Sequence, residues 1–308
     1  MYELTRLKLG QLDEELIHSY EPFAREENRC CLRGISPEGN QKALLVGIGA
    51  IDQNKPVGLA LAILDKPYGH ANILDLYVDP SHRNQHIGRD LLLTLQQESI
   101  KQGAGLFTYI YPLNEDYTPA LEKMIASCGW TKARPFLIKC HFNVFNFNIP
   151  WVMKSTHTFP PGYSIFPWAE LTRAERQDLE RRGRENEFAY AVSPFANEAK
   201  ITPLNSIGLR FQGRVVGWMI CHQIAPDTIQ YSALYVESTL KQHGLIMVTL
   251  LVDSMHRHLT ARNHWAILEI PLIRVPRSWL NFIERRLVPF ADKVTRFAEA
   301  WYSTRDKS

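Results

Sequence analysis

The stretch 73–93, ILDLYVDPSHRNQHIGRDLLL, constrains the fold more than any other part of the chain. Residues 73–78 are an apolar run of strand length and 79–85 a polar turn. Gly88, followed by Arg89, Asp90 and Leu91, opens an amphipathic helix. A helix entered this way leaves its first backbone N–H groups without intrahelical acceptors, here beside the guanidinium groups of Arg83 and Arg89. Such a corner attracts phosphate through the main chain alone.

The elements around this stretch follow an order that recurs. Ahead of it, residues 2–8 read as a strand and 12–25 as a helix with Leu12, Leu16, Ile17, Tyr20 and Phe23 on one face. Residues 43–51 and 57–64 read as a hairpin. Behind it come a helix over 89–102, a strand over 106–111, a helix over 118–127 and closing strand material over 130–144. Prolines at 150, 160 and 161 mark 146–162 as a linker. The order then returns: strand 163–168, helix 171–182, hairpin 206–224, strand 233–236, an apolar helix to His258, strand 265–270, helix 276–286 and strand 294–302. VVGWMI matches PVGLAL, with Gly217 against Gly58. Ala233-Leu234-Tyr235-Val236 parallels Asp75-Leu76-Tyr77-Val78, and 241–246 falls on 83–88, which sets Ile246 against Gly88. The expected class is α/β (an α+β mixed sheet): two tandem domains, 1–148 and 149–308, each a mixed central sheet with helices on both faces.

On these residues the chain resembles the GNAT superfamily of acyl-CoA-dependent N-acyltransferases. There the strand is followed by Arg/Gln-x-x-Gly-x-Gly/Ala and a helix. The corresponding run is Arg83-Asn84-Gln85-His86-Ile87-Gly88, with His86 where the first glycine is usual; histidine fits if its φ is ordinary. The resemblance implies that acetyl-CoA or another acyl-CoA is the donor, its pyrophosphate on the amides of residues 83–88 and helped by Arg89. Its pantetheine arm would run beside Leu76, Tyr77 and Val78, where an amide polarises the thioester carbonyl. The implied activity is direct transfer of an acyl group, acetyl by default, to a primary amine of a small molecule or peptide. Asp75 occupies the acidic position of the strand and is the expected base. Alignment on Gly129-Trp130 puts Ile125 where the family often carries its tyrosine, so Tyr111 and Tyr117 are the expected stand-ins for the acid.

Alternatives stay open: a silent acyl-CoA-binding regulatory module, a long-chain acyltransferase, or a decarboxylase using the same site. The second copy is expected to be degenerate, a scaffold, substrate wall or homodimer surface, because β-branched Ile246 would hold phosphate away. Acceptor choice is expected to rest on residues 25–41 and the domain interface.

Composition narrows the rest. At 308 residues, with 45% hydrophobic and 22% charged, the chain can fill two cores. A net charge of +3 gives no ground for a nucleic-acid partner. No apolar run spans a bilayer, and the first ten residues lack signal-peptide character. Five cysteines (Cys30, Cys31, Cys128, Cys140, Cys221) without ligand spacing read as reduced thiols in a cytoplasmic protein. No metal is expected, since His256 and His258 face different sides of a helix. Phe142, Phe145, Phe147 and Trp151 are expected to pack one domain on the other, or else to line an acyl tunnel.

Overall fold

The computed structural model describes residues 2–37, 43–154, 159–240, 242–260, 264–273 and 276–305. Lys241, part of the second phosphate motif, and residues 38–41 of the acceptor segment lie outside the described residues. In chain order the elements are β1 (Glu3–Leu7), α1 (Glu14–Tyr20), β2 (Leu44–Asp52), β3 (Lys55–Asp65), β4 (His70–Val78), α2 (Ile87–Lys101), β5 (Leu106–Pro112), α3 (Thr118–Ser127) and β6 (Arg134–Asn143). They continue with α4 (Pro150–Met153), β7 (Tyr163–Pro167), α5 (Arg173–Arg184), β8 (Ile207–Phe211), β9 (Arg214–Ala225), β10 (Thr228–Val236), α6 (His243–Leu259), β11 (Trp265–Pro271), α7 (Arg277–Arg286) and β12 (Lys293–Ser303).

Two compact units result: Met1–Phe136 with Arg296–Ser308, and Leu137–Thr295. In the first, the strands run β1-β2-β3-β4-β5-β12, antiparallel except for the parallel pair β4–β5. β3 reads as one continuous apolar run because both its faces are covered. Ala60 and Ala62 join Leu91, Leu92 and Leu95 of α2 in one core, while Leu59 and Leu61 join Ile17 and Tyr20 of α1 in the other. Fully burying a leucine such as Leu91 contributes about 1.5–3 kcal/mol. The second unit repeats the plan as β6-β11-β10-β9-β8-β7, with β10–β11 parallel. Leu250, Leu251 and Met255 of α6 fill one core and Leu179 of α5 the other.

The closing strands depart from the expected division at 148/149. β6, read as the end of the first copy, pairs with β11, and β12, read as the end of the second, pairs with β5. β6 alternates and β12 carries a short buried run, and neither pattern names the sheet its strand joins, so a single sequence holds no signal for this exchange. The aromatic series at the linker also differs from expectation. Phe142, Phe147 and Trp151 pack within the second unit's own core, and Phe145 is exposed.

The register establishes the internal repeat. Gly58 stands opposite Val78 and Gly217 opposite Val236, so the two matched segments superpose residue for residue. A Cβ at these glycines would lie 3.0 Å from the Tyr77 carbonyl oxygen and 2.7 Å from that of Tyr235. Only glycine lets the neighbouring strand approach so closely. Each copy also carries a bulge at the same place, Leu74 in β4 and Ser232 in β10. After the strand the second copy is two residues shorter, since α2 begins nine residues past Val78 and α6 seven past Val236. Gly244 is therefore the second residue of α6, as Gly88 is of α2. Ile246 falls two residues further on, inside the core, which removes the reason given for degeneracy.

Candidate active site

The β4–β5 ladder holds from His70 opposite Leu106 to Ile73 opposite Tyr109 and then stops. Past the bulge at Leu74 the strands part, so residues 74–78 have no strand partner on their β5 side. This fork opens toward α2. The helix begins after His86, at φ +65, with no side-chain cap, and Asn84 is likewise left-handed at φ +62. His86 thus adopts the backbone that a glycine would supply, instead of an ordinary φ, at a cost of order 1 kcal/mol. Asp90 N–H donates to the His86 carbonyl at 3.0 Å, whereas the amides of Ile87, Gly88 and Arg89 find no acceptor among the described residues. Alternating left-handed residues and a free helix end form a concave row of donors suited to an anion.

Arg83, Asn84, Gln85, His86 and Arg89 are all exposed around this row, and Ile87 is buried beneath it. Arg83 Nε donates to the Val78 carbonyl at 3.2 Å, and its guanidinium carbon lies 5.6 Å from the Tyr77 ring centroid. Arg83 therefore bridges the strand end and the loop. Leu76 and Val78 point into the α2 core, leaving their main-chain groups for the fork, while Tyr77 stacks against Phe23 at 5.9 Å.

The side chains expected to move protons separate clearly. Tyr117 is half-buried where α3 begins. Burial raises its pKa, and Glu115, Arg25, Arg83 and Tyr77 also act on it. Tyr111 is enclosed in the α2 core with its hydroxyl donating to Glu122 at 3.3 Å. Asp75 is buried, with one carboxylate oxygen held by Arg25 Nε at 2.7 Å and the other by Asn28 Nδ2 at 2.9 Å. Burial pushes its carboxyl up, and the two donors pull it part of the way back. Sequence reasoning missed Tyr109, the last rung before the fork. It is buried, and Arg25, Tyr117 and Asp75 act on its hydroxyl. Its place next to the central strand was the available signal.

Residues 10–124 match a family described as acetyltransferase (GNAT) family. That match falls within the first unit. No curated protein matches the chain. A tandem GNAT protein from the clavulanic acid biosynthesis pathway is similar in structure, with 15% identity, a TM-score of 0.64 and 98% of each chain covered. A GCN5-related N-acetyltransferase from Sphaerobacter thermophilus gives 14% identity and a TM-score of 0.60, over 94% of this chain and 85% of that one. A glucosamine N-acetyltransferase region of a fungal multi-domain β-N-acetylglucosaminidase gives 12% and 0.61, over 98% of this chain and 38% of that one. The whole chain has the tandem GNAT fold.

The second GNAT copy keeps the fork, its ladder ending at Tyr231 opposite Leu268, and an uncapped helix after left-handed Gln242. Its chemistry is different. Ala233 replaces Asp75, Leu245 replaces Arg89, and the bulge at Ser232 is held by His222 at 2.6 Å. A cavity of about 20 Å³ beneath α6, lined by Phe142, Phe147, Tyr231 and Met255, has room for a water. Among the described residues no helix is long and apolar enough to cross a membrane.

Proposed function

We propose that the first unit transfers an acyl group, acetyl by default, from acyl-CoA to a primary amine of a small molecule or peptide. The observation that carries this reading is the fork: parted strands ending beside an uncapped helix start, with Arg83 and Arg89 flanking it. The amides of residues 84–89 suit the diphosphate, and the unpartnered edge of Leu76, Tyr77 and Val78 suits the pantetheine arm as an added strand. Held there, the thioester carbonyl meets a preorganised amide donor that stabilises the oxyanion of the tetrahedral intermediate. Tyr117, a phenol that is protonated at neutral pH and whose pKa burial raises further, is the proposed donor to the departing thiolate. Tyr111, committed to Glu122, is not. Direct transfer needs no covalent enzyme intermediate and no metal. The second unit, lacking an equivalent of Arg89, serves as a non-catalytic scaffold or as a homodimer surface. A cytoplasmic setting suits the five cysteines, none of which is in a disulfide.

The test is thiol release. Incubation with short-chain acyl-CoAs and a panel of primary amines should liberate coenzyme A only when an acceptor is present. Tight coenzyme A binding with no release under any acceptor makes the protein a sensor and overturns the enzymatic reading. Loss of carbon dioxide from a malonyl donor, leaving acetyl-CoA with no thiol released, makes it a decarboxylase.

A further inference from the structure

In the fork, the bulge residue Leu74 turns its carbonyl away from the ladder, toward the 3-10 segment Glu26–Arg33 and Arg25 before it. Three groups meet there. Arg25 Nη2 donates to the Leu74 carbonyl while its Nε holds Asp75 at 2.7 Å. Asn28 Nδ2 reaches the Leu74 carbonyl at 3.4 Å and the other Asp75 oxygen at 2.9 Å. Asn28 and Asp75 are 4% and 5% exposed, so these bonds are sheltered from water and hard to replace with it. Arg25 keeps a partly open side, where Glu27 stands 3.8 Å away.

We propose that Asp75 is a positioning residue, not the base, and that Arg25 and Asn28 act with it as a clamp that holds the bulge and so the width of the fork. This rests on the acyltransferase reading above. Three arguments support it. Both oxygens of the carboxylate are engaged by donors, one of them a guanidinium, so taking a substrate proton competes with these bonds even though burial raises the carboxyl's pKa. The same two side chains also grip the Leu74 carbonyl, a group that takes no part in proton transfer but fixes where the next amides point. The second copy has the same bulge with Ala233 in place of Asp75, and there a Ser232–His222 bond supplies the hold. A bulge with its own tether in each copy is a common structural need met by different residues.

The clamp is tested on the full chain. Arg25→Gln should lower kcat roughly 30-fold, because an ångström of misplacement at the reacting carbonyl is costly, while coenzyme A affinity stays within about twofold. Arg25→Lys should not restore kcat, since one ammonium cannot reach both the carboxylate and the carbonyl. Amides of residues 74–78 should exchange hydrogen about tenfold faster in Arg25→Gln than in the parent. The paired exchange Asp75→Asn with Asn28→Asp removes the carboxylate at 75 yet keeps an acceptor for Arg25 and a complementary bond between 75 and 28. This pair should retain kcat within about fivefold and the parent's acid limb in the pH profile, where loss of a base would cost 100-fold or more. A loss of that size with parent-like melting and exchange makes Asp75 the base and overturns the clamp. If the parent itself turns over no acyl-CoA, the functional reading fails alone. Exchange at 74–78 still decides the clamp, and unchanged exchange in Arg25→Gln overturns it.

Discussion

Replacing Arg182 with methionine is expected to destabilise the second unit by about 3 kcal/mol, enough to lower its melting temperature by roughly 6–12 °C. Arg182 is fully buried at the end of α5. Its Nε holds Glu187 at 2.8 Å, one Nη the Val215 carbonyl at 2.8 Å and the other Glu237. Methionine fills the volume but leaves a buried carbonyl and two carboxylates short of donors, and removing one partner of a buried pair costs more than the pair contributes. The loss stays near the low end because Arg214 still reaches Glu237 at 2.8 Å. Arg181→Met is the control. That side chain is 48% exposed on Asp178 and Glu185, and pairs of this kind are worth under about 1 kcal/mol. Thermal unfolding of both variants checks the contrast, and similar melting would mean the network carries no net stability.

Gly88→Val is expected to weaken acetyl-CoA binding about 100-fold, near 2.7 kcal/mol, while Gly244→Val changes nothing measurable in that binding. A bare Cβ at Gly88 already meets Met124 Sδ at 3.4 Å and Val78 Cγ2 at 3.5 Å. The two further methyl groups of valine must push the start of α2 off Val78, and with it the amides of Ile87, Gly88 and Arg89. At Gly244 a Cβ meets nothing within 4 Å. The neighbouring first-turn residue there is Leu245, where the first unit has Arg89. Calorimetric titration of the two variants decides it. Equal losses at both positions would move the donor site out of the first unit or divide it between the two.

The sequence was informative wherever one short-range rule governed the outcome. The continuous apolar runs of β2 and β3 and the turn at Gln53 and Asn54, both at positive φ, follow from local preference. So does the strand, turn and helix over 73–93. The match of Gly58 with Gly217 survived as true register because close strand approach admits no substitute. What stayed hidden depends on distant partners. The Asp75 clamp joins residues 50 and 47 positions apart, and nothing near Arg25 or Asn28 announces it. The exchange of β6 and β12 turns on which of two similar sheet edges each strand meets. Gly244 was misaligned because the second loop is two residues shorter and no local signal marks the deletion. His86 reads from sequence as fitting only with an ordinary φ, whereas an exposed side chain and an open loop tolerate the left-handed one.

Hydrogen exchange with and without coenzyme A addresses the central claim most directly, because it reads the amides themselves. Saturating coenzyme A should slow exchange at residues 84–89 and 76–78 and leave 242–246 as they were. Protection at 242–246 instead, or at neither stretch under conditions where the ligand binds, would contradict the account.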